Sequence, residues 1–185
     1  EKAYYDLTLD YAKSRLWPDA RRVAEEMRQK YPAGKLTPKA WVDAGITARD
    51  AKNKAEEQYF LGAALANYPN AVEVASAQFE LAWLAHESGD FARSSQLLIE
   101  HLARYANKDT ANRGKAGYWA ARDSERAGKT AAACSLYHGV VYRYAANWYG
   151  HLAKQRMDNM TSQGTCGPVG RRETDQILSQ AVANL

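Results

Sequence analysis

Lys30-Tyr31-Pro32 returns as Asn67-Tyr68-Pro69, and again as Arg104-Tyr105-Ala106 and Arg143-Tyr144-Ala145. The tyrosines stand 37, 37 and 39 residues apart, and self-similarity at such a period marks a stack of repeated supersecondary units. An alanine lies 28 residues before each tyrosine, at Ala3, Ala40, Ala77 and Ala116. Each alanine opens an apolar helical stripe: Tyr4, Leu7 and Tyr11; Trp41, Ala44 and Ala48; Leu81, Leu84 and Ala85; Trp119, Ala120 and Ala121. Every repeat breaks once near its middle, at Trp17-Pro18-Asp19, Ala51-Lys52-Asn53, Ser88-Gly89-Asp90 and Ala127-Gly128-Lys129. Proline in the first turn of a helix forfeits no hydrogen bond and glycine ends a helix at little cost, so each break reads as a turn between two helices. Pro32, Pro38 and Pro69 fall between repeats. The second helices carry stripes of their own, such as Val23, Ala24 and Met27, or Leu97, Leu98 and Leu102, or Leu136, Tyr137, Val140 and Val141. One helix pair cannot cover both stripes, whereas stacked pairs bury one continuous core. The expected fold is all-α, with helices over about residues 2–15, 18–31, 38–51, 54–68, 72–88, 91–105, 111–127, 130–145 and 147–159, and no strand.

Composition narrows the function classes. With 46% hydrophobic residues in a chain of 185, a core forms without metal or disulfide staples. Apolar runs such as Ala63-Ala64-Leu65-Ala66 fall far short of the roughly 20 residues that a membrane-spanning helix needs. The opening Glu1-Lys2-Ala3-Tyr4-Tyr5 already reads as helix, so any targeting segment is expected to have been removed or to lie outside this sequence. Twenty-five Lys and Arg against 21 Asp and Glu leave a net charge of +4, but the signs alternate along the chain. Only Arg21-Arg22 and Arg171-Arg172 are paired, too little to neutralise a run of phosphates, so nucleic acid is not an expected partner. A weak, salt-sensitive attraction to anionic polymers or headgroups remains open.

The segment Leu81 to Ala92, with its Gly89-Asp90-Phe91 turn, and the endings Tyr31-Pro32 and Tyr68-Pro69 resemble tetratricopeptide repeats. That resemblance implies a right-handed α-α superhelix of helix hairpins whose first helices line a concave groove. The period of 37 departs from the usual length of about 34. A second resemblance covers about 40 residues. Tyr118-Trp119-Ala120-Ala121-Arg122, then Gly128, Tyr137 and Tyr144, then Trp148-Tyr149-Gly150-His151-Leu152-Ala153-Lys154-Gln155-Arg156-Met157, is similar to the superhelical region of soluble lytic murein transglycosylases. In that family the segment runs toward a lysozyme-like catalytic domain whose acid sits in a glutamate-serine pair followed by a glycine-leucine-methionine-glutamine motif. That succession does not occur here. The glutamates Glu25-Glu26, Glu56-Glu57 and Glu125 lie beside Lys or Arg on amphipathic helices and read as exposed ion-pair faces, not as an acid in an apolar cleft.

The domain plan that follows is four helix-hairpin repeats plus one further helix over residues 1–160, a Gly-rich linker over 161–170, and the start of another helix over 171–185. Ile177, Leu178, Ala181, Val182 and Leu185 give that last segment an apolar face. Such an ending is expected where a longer solenoid has been cut and a following helix would cover the face. Cys134 and Cys166 fit neither a zinc pattern nor a redox Cys-x-x-Cys. Cys134 lies early in one helix and Cys166 follows a second helix running back beside it, so the two can meet as a disulfide. The alternative is that Cys134 is a small buried hydrophobe. A disulfide would accord with the periplasm or a similar envelope space, the location that the transglycosylase resemblance implies.

Candidate site residues come from the first helices. Trp41, Phe79, Trp83, Tyr118 and Trp119 all fall there; most are needed as core between repeats, and Trp83 and Trp119 are the better groove candidates, with Arg49, His86, Arg122 and Arg126 as polar neighbours. His138 follows Cys134 by four residues, but no third ligand is visible, and His86, His101 and His151 stand isolated, so neither a metal nor a cofactor is expected. No catalytic residue is expected in this chain. Three functions are weighed. One is a non-catalytic superhelical segment of an envelope lytic transglycosylase, positioning a peptidoglycan strand or a catalytic domain. The second is a stand-alone adaptor that binds a protein partner in its groove during envelope assembly. The third, an enzyme within these residues, lacks a nucleophile-base pair, metal cluster or phosphate loop.

Overall fold

The computed structural model describes residues 1–108, 110–167 and 176–185. Among them are ten α-helices, a short 3-10 turn at Thr110–Asn112 and no strand. The helices are α1 Lys2–Lys13, α2 Trp17–Lys30, α3 Leu36–Asp50, α4 Lys54–Asn67, α5 Val74–Glu87, α6 Phe91–Tyr105, α7 Arg113–Arg126, α8 Thr130–Tyr144, α9 Trp148–Ser162 and α10 Gln176–Asn184. The nine helices expected from the repeat are present with ends shifted by a few residues. The chain forms two compact units, Glu1–Leu81 and Ala82–Leu185, divided within α5.

In the first unit α1 packs on α2 and α3 on α4, and α3 also lies against α1 and α2. Small residues let these helices approach closely: Ala12, Ala20, Ala24, Ala44 and Ala64 are wholly buried around Trp41, Phe60 and Leu61. The stripe expected on α1 is partly displaced. Leu7 is exposed and the buried positions are Thr8 and Ala12, because α1 meets α2 and α3 on one narrow side.

In the second unit α7 is central, packed on α6, α8 and α9. Leu97, Leu98, Leu102, Leu136, Tyr137 and Val140 form its core as the stripes require. The face of α10 is covered within this unit rather than awaiting a further helix. Leu178, Ala181 and Leu185 are buried, α10 packs on α6 and α8, and Asn184 Nδ2 donates to the Leu102 and Ala103 carbonyls at 2.9 and 3.0 Å. Arg171 to Asp175, read as the beginning of that helix, lie outside the described residues, as do Pro168 to Gly170 of the expected linker.

The mid-repeat turns share one geometry. Arg15, Lys52, Gly89 and Gly128 all have positive φ, between 58° and 81°. The amide following each donates to the carbonyl five residues back: Leu16 to Tyr11, Asn53 to Ala48, Asp90 to Ala85 and Lys129 to Ser124, at 2.8 to 3.0 Å. This is the left-handed cap that satisfies the last free carbonyls of a helix. The same turn occurs a fifth time. Gly164 has φ 71° and Thr165 N–H donates to Met160 O at 2.8 Å. The segment beginning at Thr161 is therefore first the end of α9 and then a left-handed turn of the mid-repeat kind. At Lys52 a side chain stands where glycine is favoured, at a cost of about 1 kcal/mol. Lys52→Gly should stabilise the protein by about 0.5 kcal/mol, seen as a higher urea midpoint with an unchanged slope.

Candidate functional site

The helix hairpins bring Trp83, His86 and Trp119 together. His86 stacks on Trp83 with centroids 4.7 Å apart, and Trp119 meets both edge-on, at 5.3 Å from Trp83 and 4.8 Å from His86. Both indoles stay partly exposed, while Trp41, Phe79 and Tyr118 are buried as core. His86 is not isolated, contrary to the sequence reading. Its Nδ1 lies 2.9 and 3.0 Å from the carboxylate oxygens of Asp123, which can only accept, so Nδ1 carries the proton. Ser94 Oγ donates to the same carboxylate at 2.7 Å. Asp123 is 0% exposed, and an acid this deeply placed requires such partners. It anchors α5 and α6 to α7 from beneath the aromatic cluster.

Arg126 lies over the Phe91 ring at 4.8 Å, with Asp123 3.9 Å away, and Lys115 reaches over the Trp83 ring at 5.4 Å. Arg122 pairs with Glu125 at 3.0 Å. Arg49, the remaining candidate, belongs to the first unit. There it pairs with Glu80 at 2.6 Å and with Asp50 at 2.9 Å.

The residues that carry the transglycosylase resemblance have structural tasks here. Tyr149 packs its ring 5.9 Å from Tyr118, Ala153 is wholly buried, and Arg156 holds Glu125 by an ion pair. Gly150 lies where α9 crosses the end of α8: a Cβ there would stand 2.5 Å from the Tyr144 carbonyl carbon. Tyr137 Oη also donates to Glu125, at 2.8 Å. Glu125 thus joins α7, α8 and α9, and it is not the exposed residue that the amphipathic pattern implied. Glu56 and Glu57 are likewise drawn inward, Glu56 by two 2.8 Å bonds from Arg21.

Burial alone would raise the Glu125 pKa, but hydrogen bonds from Arg156 and Tyr137 and the nearby Arg122 charge outweigh it and hold the carboxyl below its ordinary value. The Tyr137 hydroxyl is pushed upward, by burial and by the carboxylate it faces. A depressed carboxylate contributes stability that is fully present above the unfolded pKa of about 4.3 and is lost as pH falls through the folded value. Glu125→Gln should cost about 1 to 3 kcal/mol at pH 7, where two guanidiniums lose their countercharge. The deficit should shrink below about pH 4, as urea unfolding at pH 7 and pH 3.5 will show.

These arrangements bear on chemistry. Ser94 is bonded to the acid and not to the imidazole, so no activated nucleophile results. Glu125 is shifted away from the raised pKa that a glycosidic acid requires. The Glu-Ser dipeptide that the chain does contain, Glu87-Ser88, ends α5, with the Ser88 hydroxyl donating to Ala85 O at 2.9 Å. Among the described residues no group of three His, Cys, Asp or Glu side chains could hold a metal ion, and no helix is long and apolar enough to cross a membrane.

Cys134 and Cys166 form a disulfide with Cα atoms 5.8 Å apart. It fastens the turn after α9 to α8. Beside it, a groove of about 1070 Å³ runs between α6, α8 and α10, lined by Gln96, Ile99, Lys129, His138 and Ile177 among others. None of the Trp, His or Arg candidates lines it. Gly167 and Ile177 at its wall bracket residues outside the described part, so the aromatic cluster is the better-defined site. Comparison with family models, curated proteins and solved structures finds no match.

Proposed function

We propose that this chain is a non-catalytic helical-repeat segment of a cell-envelope protein of the lytic transglycosylase type, and that it holds a peptidoglycan strand for a catalytic domain. Within the second unit, this reading has the helix hairpins stack in the right-handed sense of tetratricopeptide arrays, with α7 and α9 presenting their open faces to the strand. The observation that carries this reading is the fit of the family pattern to one packing unit, in which Tyr118, Gly150 and Ala153 are buried, Tyr149 packs on Tyr118 and Arg156 pairs with Glu125. The partly exposed Trp83 and Trp119 support it, since indole faces stack on sugar rings. The Cys134–Cys166 bond supports a periplasmic location, where disulfides persist.

Purified chain should sediment with insoluble cell-wall sacculi and release no anhydro-muropeptides from them. Failure to sediment at low salt would overturn the reading, as would turnover. The adaptor reading is favoured by the same cluster, because Trp and Arg dominate protein hot spots. It would be preferred if sacculi were ignored while an envelope protein co-purified with the chain in one-to-one ratio.

A further inference from the structure

The two halves of the Cys134–Cys166 disulfide differ in burial. Cys166 is 5% exposed, and its sulfur lies 4.0 Å from Met160 Sδ at the inner side of α9. Cys134 stands in the second turn of α8, is half-buried, and lines the groove between α6, α8 and α10. Among the described residues that line this groove, Cys166 is absent. One sulfur of the bond therefore borders an open cleft and the other the packed interior. Thiol–disulfide exchange begins when a thiolate reaches one of the two sulfurs, so access decides which is attacked. The groove gives approach to Cys134, while Met160 and α9 cover Cys166.

What the bond fastens is local. Past the end of α9 the chain turns at Gly164, with φ 71°, and the Thr165 and Cys166 amides both donate to Met160 O, at 2.8 and 3.2 Å. The rest of α9 has holds of its own, the Asn147 cap on the Gly150 amide at 2.9 Å and the Arg156–Glu125 ion pair. Gly164, Thr165 and Gly167 also form part of the groove wall. Cutting the bond releases that wall and leaves the body of α9 docked on α7 and α8.

We propose that the disulfide is a redox-sensitive latch on this groove, and that Cys134 is the site at which a low-molecular-weight thiol opens it. The thiolate of the reductant bonds to Cys134 Sγ, the Cys134–Cys166 bond breaks, and its electron pair leaves on Cys166 Sγ, which takes a proton from water. An apolar setting disfavours a leaving thiolate, so departure of Cys166 goes together with release of the turn at 164–167. A dithiol completes the reduction. Its second thiolate attacks its own first sulfur, closes a cyclic disulfide and expels Cys134 as a thiolate, which is then protonated. Two electrons pass from the dithiol to the protein. One equivalent of a monothiol stops at the mixed disulfide on Cys134, a reversible cap. The device is independent of what the chain binds.

The test uses the whole oxidised chain. It is mixed with one equivalent of glutathione at mildly alkaline pH, quenched in acid, then unfolded and alkylated with N-ethylmaleimide. Trypsin separates the two cysteines onto peptides 130–143 and 157–171. Glutathione should be found on 130–143 and N-ethylmaleimide on 157–171, with the reverse labelling at least about tenfold rarer. Dithiothreitol should reduce the folded chain without urea, and amide exchange should then quicken first at 163–167 while α3 and α7 keep their protection. Glutathione on 157–171, or on both peptides equally, would overturn Cys134 as the point of entry. A bond that dithiothreitol cuts only in urea would overturn the latch, as would reduction that leaves exchange at 163–167 unchanged.

Discussion

Gly150→Ala should be the most damaging single-methyl change in the second unit, costing about 3 kcal/mol or more and lowering the melting temperature by about 10 °C. Gly150 occupies the third position of α9, where its amide donates to the Asn147 cap at 2.9 Å. Its Cα faces the end of α8 so closely that an added Cβ would overlap the Tyr144 carbonyl oxygen and come within 3.0 Å of the Ala145 amide nitrogen. Those atoms are backbone, so no rotamer change relieves the overlap. Either α9 moves away, separating Ala153 from its packing and Arg156 from Glu125, or the connection at 145–147 unwinds. Gly117→Ala is the informative control. Its Cβ would meet only the tips of Leu185 and Val140, at 2.5 and 2.7 Å, and Leu185 can turn aside. That variant should lose about 1 kcal/mol, mainly by loosening α10. Equal melting temperatures for the two variants would show that the crossing of α8 and α9 is softer than the contact implies.

The contrast between those glycines explains what was legible in the sequence. Repeat period, helix order and most buried stripes follow from spacing alone, because helix hairpins bury residues that recur locally. Gly89 and Gly128 announced their turns. Arg15 and Lys52 hid the same backbone conformation behind ordinary side chains, and Gly164 read as linker because the segment after it does not continue the repeat. The site was half visible. Trp83, His86 and Trp119 were chosen as groove residues from their helix, but the acid beneath them was not, since Asp123 sits 37 residues from His86, one full repeat period away. Such a pairing depends on stacking between successive repeats, and no local spacing records it. The Glu125 pairing escapes the local pattern for the same reason: its arginine partner, Arg156, is 31 residues distant, on α9. The signal available was indirect, an acid in a first helix near its carboxyl end, where a solvated carboxylate gains nothing from the helix dipole.

Removing the disulfide should have the second large effect. Cys134 and Cys166 are separated by 32 positions, and closing a loop of that length stabilises by about 3 to 4 kcal/mol through the entropy of the unfolded chain. The closed loop contains all of α9 and the left-handed turn at Gly164. Cys166 is buried, with its sulfur 4.0 Å from that of Met160 at the inner side of α9. Cys134→Ser/Cys166→Ser should therefore lower the melting temperature by about 10 °C, with most of the change in the second unit. Amide exchange locates the loss: amides of α8 and α9 should lose protection first, while those of α3 and α4 keep theirs. Alkylation of the native protein without reductant should leave both cysteines unmodified, and brief reduction should expose two thiols and reproduce the low melting temperature of the double variant. A reduced protein as stable as the oxidised one would mean that the Gly150 crossing and the Arg156–Glu125 pair hold α9 unaided. In that case the bond would contribute little to folding, and the envelope location would lose the support that rests on it.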